Sequence, residues 1–130
     1  MTLQRLTLIK RTHNINGEKY MKTETLSKIL RTVPREKAFY FFTSIGNYTG
    51  VSACSLKEFI EKIKEVNVKS LEFHLYRGDF EKWINEVLED AELAREVKIL
   101  KKLNFSGEAL KHQLLMMISR RLKHLTNLLS

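Results

Sequence analysis

The sequence predicts a mainly α-helical fold: a compact bundle of about five to six helices, with one short β-hairpin near residues 38–54. Apolar residues recur every three or four positions over most of the chain after residue 21, which is the spacing of a buried helical stripe. With 130 residues and a hydrophobic fraction of 43%, the chain is long enough to build one core. We therefore expect residues 21–130 to form a single globular helical domain.

Residues 1–20 differ from the rest of the chain in charge and in pattern. They hold four basic residues and one acidic residue, a net charge of +3, and they show only a weak alternation of apolar and polar residues. We expect them to form a basic, flexible N-terminal tail outside the globular domain.

The first predicted helix begins near Thr23, and the segment after it favours a hairpin. Pro34 has no amide proton and restricts the residue before it, so the helix is expected to end there. The aromatic run at residues 39–42 is strand-prone, Gly46 and Gly50 bracket a turn, and the residues that follow can return as a second strand. An aromatic-rich helical turn is the alternative for this segment.

Ser55 and Glu58 have the spacing of a capping box, in which the two side chains bind free amides at a helix start. The predicted helix carries an unbroken apolar stripe, formed by Leu56, Phe59, Ile60, Ile63 and Val66.

A corner between two short helices is predicted around Gly78. Ser70 is expected to cap a helix that runs to Arg77, and Gly78 to end it in a left-handed conformation. Asp79 is expected to cap the next helix. Trp83 lies on the apolar stripe of that helix and is expected to pack in the core with Phe80 and with Phe59 or Phe73.

The last two predicted helices follow Asp90, a candidate cap, and Ser106, which precedes the longest apolar stripe in the chain. Arg121 falls on the apolar side of the long helix. We expect its guanidinium to snorkel to the edge of the core. The alternative is an ion pair with a carboxylate of this domain or of a partner.

The net charge of +8 is concentrated at the two ends of the chain, and residues 98–130 alone carry +6. Such asymmetry favours an anionic partner, whereas a solvated surface is the simpler interpretation. The predicted basic surface comprises Lys98, Lys101, Lys102, Lys111, Arg120, Arg121 and Lys123.

Several classes of protein are disfavoured by composition. Cys54 is the single cysteine, which excludes an intrachain disulfide and a cysteine-based zinc site. No apolar run approaches the ~20 residues of a membrane span. We expect a cytoplasmic protein without metal or cofactor.

Several motifs together resemble an uncharacterised family of small archaeal and bacterial domains, over residues 36 to 125. The motifs are Phe39-x-Phe41, Thr49-Gly50 with Ala53, Leu56-x-x-Phe59, Ser70-Leu71-x-Phe73-His74, Asp79-Phe80-x-x-Trp83-Ile84, Leu88 and Leu93-Ala94. Members of that family often carry a longer insertion between the His-bearing helix and the Asp-Phe-x-x-Trp helix, where only Arg77 and Gly78 separate the two in this chain. The resemblance implies a fold unit and no catalytic residues.

His74, Arg77 and Asp79 form the one polar cluster that suggests a ligand-binding site. A His can act as a base, an Asp can orient it, and an Arg can hold an anion. The structural interpretation is favoured, in which His74 is a buried ring bonded to the backbone, Asp79 is a cap and Arg77 ends a helix.

We therefore expect a non-enzymatic domain that acts in protein interaction or self-association through its long C-terminal helix. The alternative is a basic protein that binds nucleic acid or a ribonucleoprotein through residues 98–130 and the tail. Because the cations do not share one helix face, we expect nucleic-acid binding to be weak and non-specific. A small enzyme that uses His74 is the third hypothesis.

Overall fold

The structure is a computed structural model, and it describes residues 21–130. The predicted basic tail, residues 1–20, lies outside the described residues. The elements in chain order are α1 (Thr23–Leu30), a 3-10 turn (Arg35–Lys37), β1 (Phe39–Ser44), β2 (Asn47–Ala53), α2 (Leu56–Glu65), α3 (Val68–Arg77), α4 (Asp79–Trp83), a π-helical turn (Ile84–Leu88), α5 (Ala91–Lys102) and α6 (Gly107–Leu129). The predicted fold class, mainly α with about five to six helices and one short hairpin, is confirmed.

The hairpin is antiparallel and irregular. Phe39 faces Ala53 and Phe41 faces Val51, but the register shifts after Phe41. Phe39 and Phe41 are buried, so one face of β1 forms part of the core. Side chains of α3 bind both backbone groups of Phe42, the amide and the carbonyl.

The start of α2 forms as predicted, with one difference in detail. Ser55 Oγ accepts a hydrogen bond from the amide of Glu58 at 3.1 Å. Glu58 Oε1 accepts from the amide of Cys54 at 2.7 Å, one residue before the amide that a capping box normally uses. Both side chains therefore hold the link between β2 and α2.

The corner between α3 and α4 corrects two predicted caps. Asn67, rather than Ser70, caps α3, because its side chain accepts from the amide of Lys69 at 2.8 Å. Ser70 lies within the first turn of α3 and is fully buried. Gly78 adopts the predicted left-handed conformation (φ 80°) and is itself the residue before α4. Asp79 is the first residue of α4 and makes no capping hydrogen bond.

The core lies between the hairpin, α2 and the long helix α6, which also contacts α1, α3 and α5. Trp83 is buried, and its ring centroid lies 5.1 Å from that of Phe59, as predicted, and 5.7 Å from that of Phe39. Its indole Nε1 donates to the carbonyl of Lys37 at 2.8 Å. The polar edge of the ring is thus satisfied inside the core.

Arg121 does not snorkel, so the favoured interpretation of this residue was wrong. Its Nε and one terminal nitrogen each donate to the carboxylate of Asp90 at 2.9 Å, and both side chains are buried. Asp90 also caps α5 by accepting from the amide of Leu93 at 3.2 Å. A buried guanidinium needs a charged partner, and a bidentate carboxylate from the same domain supplies it.

None of the helices between residues 21 and 130 combines the length and the apolar character that crossing a membrane requires.

Candidate functional site

The structure brings His74, Arg77 and Asp79 together around the corner at Gly78. Asp79 Oδ2 lies 2.8 Å from His74 Nδ1 and 3.1 Å from Arg77 Nε. The left-handed glycine forms the corner between α3 and α4, and the first carboxylate of α4 faces the last turn of α3. Gly78 occupies the cap position of α4, and Asp79 binds these two side chains instead of a free amide of its own helix.

Both ring nitrogens of His74 are bound inside the protein. Nε2 accepts a hydrogen bond from the backbone amide of Phe42 at 2.8 Å, which requires the proton to be on Nδ1, where it is donated to Asp79. The ring is buried, and burial lowers the pKa of His74 below its ordinary value of 6.5, against the opposing hydrogen bond and charge of Asp79. The ring is therefore neutral at pH 7, and the lone pair on Nε2 accepts the hydrogen bond from the hairpin.

A cavity of about 320 Å³ lies beside this cluster, between the hairpin and α3. Aromatic rings form much of its wall, with Arg77 and Asp79 among its polar members. Arg77 also lies over the ring of Phe73, with its guanidinium carbon 5.0 Å from the ring centroid. Chemically, the cavity offers an apolar wall and one exposed cation, and no free base.

The predicted basic surface does not form one surface. Arg121 is buried against Asp90. The ammonium of Lys111 donates to the carbonyls of Lys64 and Val66 at the end of α2, at 3.2 and 2.8 Å. Arg120 and Lys123 are exposed on α6. The seven residues named from charge alone therefore play at least three different structural roles.

Two residues of the predicted basic surface line a second cavity, which we call the α4–α5 groove. Its volume is about 520 Å³. Lys98 and Lys101 of α5 line it together with Arg77. Two further cations, Lys82 and Arg95, also line it and were missed in the sequence analysis.

One signal for the groove was present in the sequence. Arg95, Lys98 and Lys101 are spaced by three residues and so share one side of a helix. The contribution of Lys82 and Arg77 could not be seen, because it depends on how α4 packs against α5. Metal ligation finds no support in this part of the chain, since residues 21–130 contain no group of three or more His, Cys, Asp or Glu side chains placed to hold an ion.

Comparison with known proteins identifies one family. The family model that matches the chain is described as a family of unknown function (DUF5752), and it covers residues 36–129. No curated protein and no solved structure matches the chain.

Proposed function

The chain belongs to the DUF5752 family of unknown function, so we propose a role from its own surface: a non-enzymatic protein-interaction domain that binds its partner through the outward side of α5 and α6. The observation that carries this proposal is the exposure of large apolar side chains on these two packed helices.

We propose that three exposed side chains act together as one surface, which we call the α5–α6 apolar face. Ile99 of α5 and Leu103, the residue after the end of α5, lie one turn apart, with 50% and 62% of their surface exposed. Met116 on the neighbouring helix α6 is 46% exposed. Scattered apolar residues are normal on a surface, whereas a group of them ringed by polar residues is typical of a protein-binding site.

The exposed cations of α5 and α6 favour an acidic partner over a second copy of the chain. Arg95, Lys98 and Lys102 are exposed on α5, and Arg120 and Lys123 are exposed on α6. In a two-fold dimer through this face, cations of one copy would meet cations of the other. Like charges placed against each other oppose association, while an acidic surface complements them.

The other two hypotheses have less support. An enzyme that uses His74 as a base needs a free lone pair, and Phe42 already donates to that nitrogen. A single-stranded nucleic acid is usually held by aromatic stacking in a basic groove. Neither α5 nor α6 contains an aromatic residue.

The experiment is affinity capture from the native cell, with and without nuclease, by the full chain and by the Ile99→Ser/Leu103→Ser variant. We expect the wild-type chain to capture a protein in both conditions and the variant to lose it. Ile45→Ser is the matched control, since Ile45 is 83% exposed but lies in the turn of the hairpin.

Two outcomes would overturn the proposal. The first is capture that survives in the double variant, and the second is capture that nuclease abolishes. Light scattering of the purified chain tests a third case, in which the partner is a second copy of the chain. In that case the wild-type chain is a dimer and the Ile99→Ser/Leu103→Ser variant is a monomer.

A further inference from the structure

The α4–α5 groove carries more positive charge than the protein itself neutralises. Lys101 Nζ lies 3.5 Å from Glu81 Oε1, and Arg77 is bound to Asp79. Lys82, Arg95 and Lys98 make no ion pair with any carboxylate of residues 21–130. Three cations around one concavity are thus available to an anionic ligand.

Glu81 supplies the counter-charge of Lys101 in the groove. Its Oε1 lies 3.5 Å from Lys101 Nζ and is buried, so a ligand in the groove does not reach this oxygen. The pair leaves Lys82, Arg95 and Lys98 as the cations available to a ligand.

We propose that the α4–α5 groove binds an acidic peptide segment of the protein partner. This inference rests on the proposed function and adds the partner's chemistry. Carboxylates of the segment pair with Lys82, Arg95 and Lys98. Arg95 and Lys101 are separated by about 9 Å along α5, at 1.5 Å per residue. An extended peptide covers that length with about three residues.

The lining of the groove favours a peptide over a single-stranded nucleic acid. No aromatic side chain lines it, so it offers no platform for stacking bases. Glu81 and Glu86 also line it and interrupt the positive charge, which spaced carboxylates of a peptide can match and a continuous phosphate backbone cannot.

The test is a fluorescence-anisotropy titration of the full chain into labelled hexaglutamate. Hexaglutamine controls for charge, and hexauridylate of matched length controls for the class of polymer. The groove variant is Arg95→Glu/Lys98→Glu. Its matched control is Lys57→Glu/Lys69→Glu, which makes the same change of charge at exposed positions of α2 and α3, and the melting temperature of both variants confirms that they fold.

We expect hexaglutamate to bind and the groove variant to weaken it by about tenfold or more, while the control variant changes the dissociation constant by less than about twofold. Three results would overturn the inference: no hexaglutamate binding, equal weakening by both variants, or tighter binding of hexauridylate.

The Ile99→Ser/Leu103→Ser variant separates this inference from the proposed function. If it loses the captured partner and yet hexaglutamate does not bind the wild-type chain, only the groove assignment fails. If hexaglutamate binds as expected while capture is insensitive to the apolar face, only the proposed function fails.

Discussion

His74 Nε2 and the backbone amide of Phe42 lie 2.8 Å apart, and this hydrogen bond joins α3 to the hairpin. The bond depends on a neutral ring, since a protonated Nε2 has no lone pair to accept with. The oxygen of Asp79 on the other side of the ring keeps the proton on Nδ1. A polar trio that suggests catalysis is therefore built so that it links two elements of the fold.

The free energy of unfolding is expected to decrease as the pH falls below 6.5. Burial lowers the pKa of His74 in the folded protein below 6.5, so the unfolded chain binds a proton on this ring at a higher pH than the folded protein does. The difference between the two pKa values of His74 contributes stability that is fully present above pH 6.5. This stability is lost progressively as the pH falls from 6.5 to the pKa of the folded protein. Urea denaturation at a series of pH values measures it.

Two variants test the assignment to this residue. His74→Gln should reduce the pH dependence, and His112→Gln should leave it unchanged, because His112 is exposed on α6. Equal pH dependence in the wild-type and His74→Gln proteins would contradict the expectation.

Arg121→Met should destabilise the fold by about 3–5 kcal/mol, because it leaves the buried carboxylate of Asp90 without its charged partner. Arg120→Met, at the exposed neighbouring position, should change the free energy of unfolding by no more than about 0.5 kcal/mol. Chemical denaturation of both variants measures the difference. Asp90→Asn added to Arg121→Met should recover part of the loss, since it removes the unpaired charge and keeps an oxygen for the amide of Leu93.

Trp83→Ala should cost about 3–5 kcal/mol, as expected for the loss of a large ring from a packed core. The same burial predicts blue-shifted indole fluorescence with little quenching by acrylamide in the wild-type protein. Red-shifted, readily quenched emission would place the ring in solvent and rule out the packing on Phe59 and Phe39.

Gly78→Ala should cost about 1–2 kcal/mol, because an L-residue is strained in the left-handed conformation. The added methyl group itself has room, as its nearest neighbour would be Lys101 Nζ at 3.6 Å. Gly78→Asn should cost less, since Asn tolerates this conformation better than Ala. Equal losses in the two variants would point to crowding instead of backbone strain. Thermal denaturation of the pair distinguishes the two causes.

Features with local signals could be predicted from the sequence. The hairpin follows from strand-prone residues around Gly46 and Gly50, and the corner follows from Gly78. Asp79 was predicted to cap α4 because Asp is a common cap residue where a helix begins. Its carboxylate instead binds His74 and Arg77, which lie next to it only once the corner has formed.

Features that join distant parts of the chain could not be predicted. Arg121 was expected to reach solvent, and no carboxylate lies near it in sequence, while its partner, Asp90, lies 31 residues away. The same holds for the α4–α5 groove, whose cations come from α3, α4 and α5. Which surface cations are neighbours depends on how the helices pack on one another. The spacing along one helix therefore identifies only the cations that this helix contributes to the groove.

The contact between Phe42 and α3 also bears on whether strands of other molecules can pair with the hairpin. A two-stranded hairpin has two open edges, and an open edge invites strands of other molecules to pair with it. At Phe42 the outer edge of β1 is closed, because His74 binds its amide and the hydroxyl of Ser70 donates to its carbonyl at 2.8 Å. A foreign strand that approaches this edge meets a helix whose side chains already fill the positions it would need.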